Sequence, residues 1–167
     1  MKNKISIDVT IQDPSWNKLG GIEDVVRLSA KTTLDGSVLP KEAMDRDLEA
    51  GIVLANNDLL QVLNREYRNK DKPTNVLTFA SLDSDEPQSD GPLNLGEVFV
   101  SFDTAMSEAS DEEKFILDHV RHLIVHGVLH LLGYDHETED EATDMETLEI
   151  RILERMNVQN PYTKIDI

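Results

Sequence analysis

Two histidines one helical turn apart, His126 and His130, are followed by Gly133 and then by a third histidine, His136. Positions i and i+4 share a helix face, with Cβ atoms about 5–6 Å apart. Both imidazoles can therefore reach one ion at the about 2.0–2.1 Å typical of zinc–nitrogen bonds. Gly133 stands where that helix must stop. Without a Cβ it can adopt the left-handed conformation that turns the chain back and returns His136 to the same ion. A lone histidine on an apolar face is usually a core residue. A triple spaced four and six apart, with glycine at the turn, is rarer and favours a metal. Three protein ligands and one open position describe a catalytic zinc centre, since structural sites close with four. The expectation is one zinc ion per chain on His126, His130 and His136, although nickel and copper also accept imidazoles. Three neutral rings leave the ion's charge uncompensated, which favours an anionic ligand such as hydroxide or phosphate.

Other residues near this run carry weaker signals. His122 lies one turn before His126, so a fourth ligand is conceivable; a core or supporting role is the better reading, because three histidines already complete a catalytic set. His119 belongs to the same helix. Asp135 has two readings that stay open: it orients a ligand histidine, or it bonds its own backbone in the turn. Met145 falls among Ala142, Leu148 and Ile152 and reads as core. A second constellation, Arg65, Arg68, Lys70 and Lys72, forms the densest positive patch. Cations at a helix C-terminus complement its dipole, which is a sufficient structural reason for them. The same residues could clamp a phosphodiester, with Arg68 bidentate and Tyr67 stacking on a base. Spacing alone does not choose.

The elements that must position these groups are legible in the apolar periodicity. Alternation over 5–11 predicts a half-buried strand, and the patterns at 48–55, 76–80 and 95–102 predict three more. Helical periodicity marks 22–34 and the stretch from Asn57 to Tyr67, with Asn56 or Asn57 as its cap. Two capping boxes stand out. Ser110 to Glu113 is read as opening one long helix over 110–132 that carries the histidines, and Thr138 to Glu141 as opening the last helix, to about Met156. Residues 81–94, with Pro87, Gly91, Pro92 and several acids, read as a surface loop or hairpin turn. The fold class expected is α+β: a mixed sheet of about four strands packed by helices, with strand order unreadable.

The 167 residues suit a single domain spanning 1–167. A net charge of −17 makes the chain a poor non-specific binder of nucleic acid, so any polyanionic substrate needs a local basic patch or a metal. Acidic runs, such as Asp83 to Glu86, are ordinarily solvated faces. There is no cysteine, which excludes disulfides and thiolate zinc and fits a reducing compartment. The first residues lack the continuous apolar core of a signal peptide, and no uncharged stretch is long enough to cross a bilayer. The expected location is the cytoplasm.

The histidine spacing resembles that of metzincin-type zinc proteases, but Gly127 stands where their catalytic glutamate follows the first histidine. The run from His126 to His136, together with Leu63-Asn64, Tyr67-Arg68, Pro73 to Phe79 and Leu95-Gly96-Glu97, resembles the YbeY family of bacterial single-strand endoribonucleases and rRNA maturation factors. The resemblance covers roughly 52–153. It implies zinc on the three histidines, an arginine important for activity at Arg68, and a role in 16S rRNA 3′-end processing and ribosome quality control. It implies RNA as the partner, and the partners expected are single-stranded RNA and the ribosome or its proteins, with no membrane and no DNA. Asn75 departs from the aspartate found in many members.

The chemistry expected is phosphodiester hydrolysis, with the metal activating water or polarising a phosphate oxygen and Arg68 stabilising developing charge. Because Gly127 cannot take a proton, the base lies elsewhere: Asp135, the metal's own hydroxide, or the ribose 2′-OH acting as nucleophile. Two other classes compete. One is a zinc peptidase-like hydrolase, supported by spacing and opposed by Gly127. The other is a non-catalytic ribosome-assembly factor whose metal is structural.

Overall fold

The computed structural model describes residues 4–81 and 91–162. Its sheet has four strands: β1 (Ile5–Ile11), β2 (Leu48–Ala55), β3 (Val76–Ala80) and β4 (Leu93–Ser101), in the order β1-β2-β4-β3. β1, β2 and β4 run parallel, and β3 pairs antiparallel with β4 along one edge. Five α-helices pack with it among the described residues: α1 (Ile22–Gly36), α2 (Asn57–Arg68), α3 (Phe102–Asp111), α4 (Ile116–Leu131) and α5 (Glu139–Arg155). The architecture is the α+β mixed sheet that the periodicity predicts.

Side-chain alternation divides the sheet into two faces. Leu48, Ala50, Ile52 and Leu54 of β2 join Ile7, Val98 and Val100 in the main core, where α1 brings Val26 and Ala30 and α4 brings Val120, Ile124 and Val128. On the other face Ala55 and Leu77, with Val53, Phe79 and Phe99 around them, receive Leu60 of α2. The sheet therefore separates α2 from α4. A third cluster joins Val125 and Leu129 of α4 to Met145, Ile152 and Leu153 of α5. Met145 is core, as its neighbours suggest.

One irregularity matters for the edge. Leu93, Leu95, Val98 and Val100 all belong to the main core, although strict alternation would reverse their facing between 95 and 98. The β2–β4 register shifts over this stretch, and Gly96 has φ +124. A bulge explains both observations, and only glycine adopts that backbone freely. A Cβ there would also lie 2.1 Å from the Phe79 carbonyl oxygen, so Gly96 lets β3 close against β4.

The structure corrects one boundary. The expected single helix over 110–132 is two helices, and Ser110 stands near the end of α3 rather than at a start. Glu113 takes φ 56 and its N–H bonds the Ser110 carbonyl, while Lys114 N bonds Ala109 O, so the chain turns there. The working cap of α3 is Ser101, whose side chain accepts from Thr104 N; α4 begins after Phe115 with no side-chain cap. The Thr138 box does cap α5, accepting from Glu141 N at 3.1 Å. Asn56 caps α2 through Leu59 N at 3.0 Å. The acidic run at 83–86 and most of the expected 81–94 loop lie outside the described residues.

Candidate metal centre

The C-terminal half of α4 carries His126 and His130 on one face, and the chain turns immediately after the helix. Gly133 has φ +97, its N–H bonds the His130 carbonyl, and Tyr134 N bonds Leu129 O. That closure satisfies orphan carbonyls of the helix end and returns the chain over its last turn. His136 arrives beside the helical pair, its ring centroid 5.7 Å from that of His126 and 5.2 Å from that of His130. One ligand nitrogen from each histidine lies within 4.8 Å of the other two.

The donor set fits a tetrahedral cation. The Nε2 atoms of His126 and His130 stand 3.1 Å apart. Two nitrogens bound tetrahedrally at about 2.0–2.1 Å would be separated by about 3.3 Å. The other nitrogen of each helical ring is already used: His126 Nδ1 lies 2.6 Å from Glu149 Oε1, and His130 bonds the Tyr134 backbone. Burial, reinforced by His126 and His136 and opposed by Asp135, pushes His130 down to about 4. A neutral imidazole is what coordination requires. These residues could hold one metal ion.

Glu149 is the residue that sequence reasoning missed. It sits in α5 with no exposed surface, its Oε2 3.0 Å from His122 Nε2 and also bonded by the Tyr162 hydroxyl. Burial opposes its ionisation, yet hydrogen bonds from His122, His126 and Tyr162 outweigh that and hold the carboxyl down to about 2. A signal was available. Met145, Glu149, Ile152 and Leu153 share one helical stripe, so a glutamate there faces the core. His122 is not grouped with the triad, and His119 pairs with Glu108 at 2.9 Å.

Asp135 accepts from its neighbour's backbone, His136 N, at 2.8 Å. It also lines a 220 Å³ pocket with Thr78, Ala80, His130, Gly133 and Tyr134. Arg68 is not brought into the triad. It is exposed at the end of α2, and no group among the described residues pairs with it. The edge strand links the two places. Leu77 and Phe79 face α2, where Tyr67 packs edge-on against Phe79 at 5.1 Å, while Thr78 and Ala80 face the His130 pocket. Asn75 donates from Nδ2 to Glu108 at 3.1 Å. A carboxylate at 75 would meet Glu108 with like charge.

Comparison with known proteins decides what this geometry belongs to. The model of the YbeY family, described as Endoribonuclease YbeY, matches residues 22–157, which include Arg68 and all three histidines. The chain belongs to the YbeY family. It is thereby a member of a family of RNA-hydrolysing enzymes. The chain is similar to Endoribonuclease YbeY of Paramagnetospirillum magneticum, 45% identical over 161 residues, 95% of this chain and 96% of that protein. It is similar also to the YbeY of Bartonella bacilliformis, 39% identical over 96% of this chain and 99% of the relative. A Thermotoga maritima protein solved in solution shares the fold, with a TM-score of 0.55 at 19% identity, covering 96% of this chain and 99% of that one. No helix among the described residues is long and apolar enough to cross a membrane.

Proposed function

We propose that this YbeY-family chain acts as one domain, a zinc-dependent endoribonuclease cutting single-stranded RNA, with one ion on His126, His130 and His136. The observation that carries the reading is the convergence of three imidazole nitrogens on one point, with no fourth protein ligand grouped with them among the described residues. When bound, the ion would supply water activation at neutral pH and polarisation of a phosphate oxygen.

The chain's own residues would do the rest. The pocket beside His130 has room for a phosphodiester, and Asp135, which lines it, would take a proton from an incoming nucleophile. Arg68, reached around the β3 edge, would grip a neighbouring phosphate with a bidentate fork, and Tyr67 would offer a face for a base. Single strands fit this division, since a flexible backbone can bend around a sheet edge where a duplex cannot. The physiological substrate would be rRNA, at the 3′ end of 16S rRNA, in ribosome maturation and quality control in the cytoplasm. With a net charge of −17, recruitment through ribosomal proteins would help a surface that repels polyanions; DNA is not an expected substrate. Gly127 argues against the peptidase reading, because its α-carbon faces the sheet.

The test is a comparison of purified wild type, His126→Ala and Arg68→Ala, with zinc content, melting temperature and cleavage of a single-stranded RNA measured on each. Wild type should bind one zinc and cut. His126→Ala should lose both properties, and Arg68→Ala should keep zinc and lose cleavage. Zinc-loaded wild type that binds RNA but leaves it intact overturns the proposal.

A further inference from the structure

A fully buried carboxylate among Met145, Ile152 and Leu153 needs a reason. Packing alone would be better served by an apolar side chain, because taking a charge out of water is costly unless its partners offset it. The Glu149 oxygens are divided in a telling way. Among the described residues Oε1 serves His126 Nδ1, whereas Oε2 serves His122 Nε2 and the Tyr162 hydroxyl. An ionised carboxylate can only accept, so each of these partners must donate. His126 then carries its proton on Nδ1, and its bare Nε2 is the atom that faces His130 Nε2 at 3.1 Å.

We infer that Glu149 is the positioning residue of the triad, fixing the tautomer and orientation of His126, and that Tyr162 completes it from the chain segment after α5. The inference rests on the metal reading above and extends it to residues outside the ligand set. His122 contributes by filling the remaining acceptor site: its Nε2 donates to Glu149 while its buried Nδ1 has no partner among the described residues. The Tyr162 ring packs edge-on against His122, with centroids 5.4 Å apart and planes at 86°. Lys114 ties the same segment to the start of α4 through the Pro161 carbonyl at 3.2 Å. Thus α5 and the segment after it brace one imidazole of α4 from behind, on the side away from the coordination point. Ligand histidines commonly donate their second nitrogen to such a carboxylate, and losing it weakens metal binding about 10–100-fold.

The experiment uses full-length wild type, Glu149→Gln and Tyr162→Phe. Zinc affinity is read by competition with a chromogenic chelator, and the His126 tautomer by long-range proton–nitrogen NMR on zinc-free protein. Circular dichroism checks that each variant is folded. Wild type should bind one zinc and show His126 protonated at Nδ1. Glu149→Gln should stay folded, bind zinc about 10–100-fold more weakly and lose the single tautomer. Tyr162→Phe should shift affinity in the same direction by less. A Glu149→Gln protein with wild-type affinity and an unchanged tautomer overturns the inference. So does a zinc-free wild type carrying the His126 proton on Nε2, a result readable even if Glu149→Gln does not fold. Failure of wild type to bind zinc while His126 shows the Nδ1 tautomer would instead remove the metal reading.

Discussion

Gly127 and Val98 meet so closely that a Cβ on the glycine would lie 2.6 Å from the valine Cγ1, far inside van der Waals contact. The position that carries the catalytic base in zinc peptidases is thus a packing contact between α4 and β4 here. Gly127→Ala should lose about 1–3 kcal/mol to overpacking, offset by about 1 kcal/mol of helix propensity. Gly127→Glu should be less stable still and gain no proteolytic activity. Urea unfolding and a casein digest check both; a stable Gly127→Glu variant that cuts peptides would refute the argument.

Arg68 is exposed and unpaired among the described residues, so its removal should leave the fold alone. Arg68→Ala should melt as wild type does, within about 0.5 kcal/mol, and retain zinc. Its RNA cleavage should fall about 100-fold or more, as expected for a lost charge-stabilising donor. Arg68→Lys should recover only part of that, since an ammonium lacks the planar fork. Single-turnover cleavage rates make the comparison.

The ligands differ in what else they support. His126→Ala leaves the buried Oε1 of Glu149 without its partner, which should cost about 1–3 kcal/mol. His136 is exposed, so His136→Ala should change the stability of zinc-free protein by no more than about 0.5 kcal/mol. Both should lose tight zinc binding. Denaturation of the zinc-free proteins, beside metal analysis, separates the two effects.

Acid should destabilise the zinc-free protein in two stages. His130 is held at about 4 when folded against 6.5 ordinarily, so the unfolded chain takes up more protons between those values. Its contribution is complete above about pH 6.5 and lost as pH falls toward 4. Glu149, at about 2 when folded against 4.5, adds a loss as pH falls from 4.5 toward 2. Melting temperature followed from pH 7 downward should fall throughout. A flat profile between pH 6.5 and 4 would contradict the buried placement of His130.

Zinc removal tests whether the ion builds the fold or only the chemistry. α4 is anchored by Val120, Ile124 and Val128 in the main core and by Val125 and Leu129 against α5, contacts that owe nothing to a cation. Chelator-treated protein should keep its helical circular dichroism while losing RNA cleavage, and zinc should restore it. Collapse of helicity on chelation would favour a structural metal.

How much of this was legible beforehand depended on how local each signal is. The strands at 48–55 and 76–80 and the caps at Asn56 and Thr138 are set by adjacent residues, and the sequence announces them. So is the His126–His130–Gly133–His136 arrangement, which needs only one helix and one turn. The Ser110 box misled because a serine three residues before a glutamate has the same spelling at a helix end, where Glu113 enters the left-handed region. The buried stripe marks Glu149, but its partners were hidden because they lie 27 and 23 residues away on another helix. The bulge at Gly96 was hidden likewise, since the register shift belongs to a pair of strands.

The three histidine rings are not equally anchored. His126 and His130 ride on a helix packed into the core, whereas exposed His136 lies beyond the turn at Gly133. The entropy of capturing a cation is therefore concentrated in one arm. Exchange with solvent should begin by release of that arm, leaving a two-pronged platform that waits to be refilled.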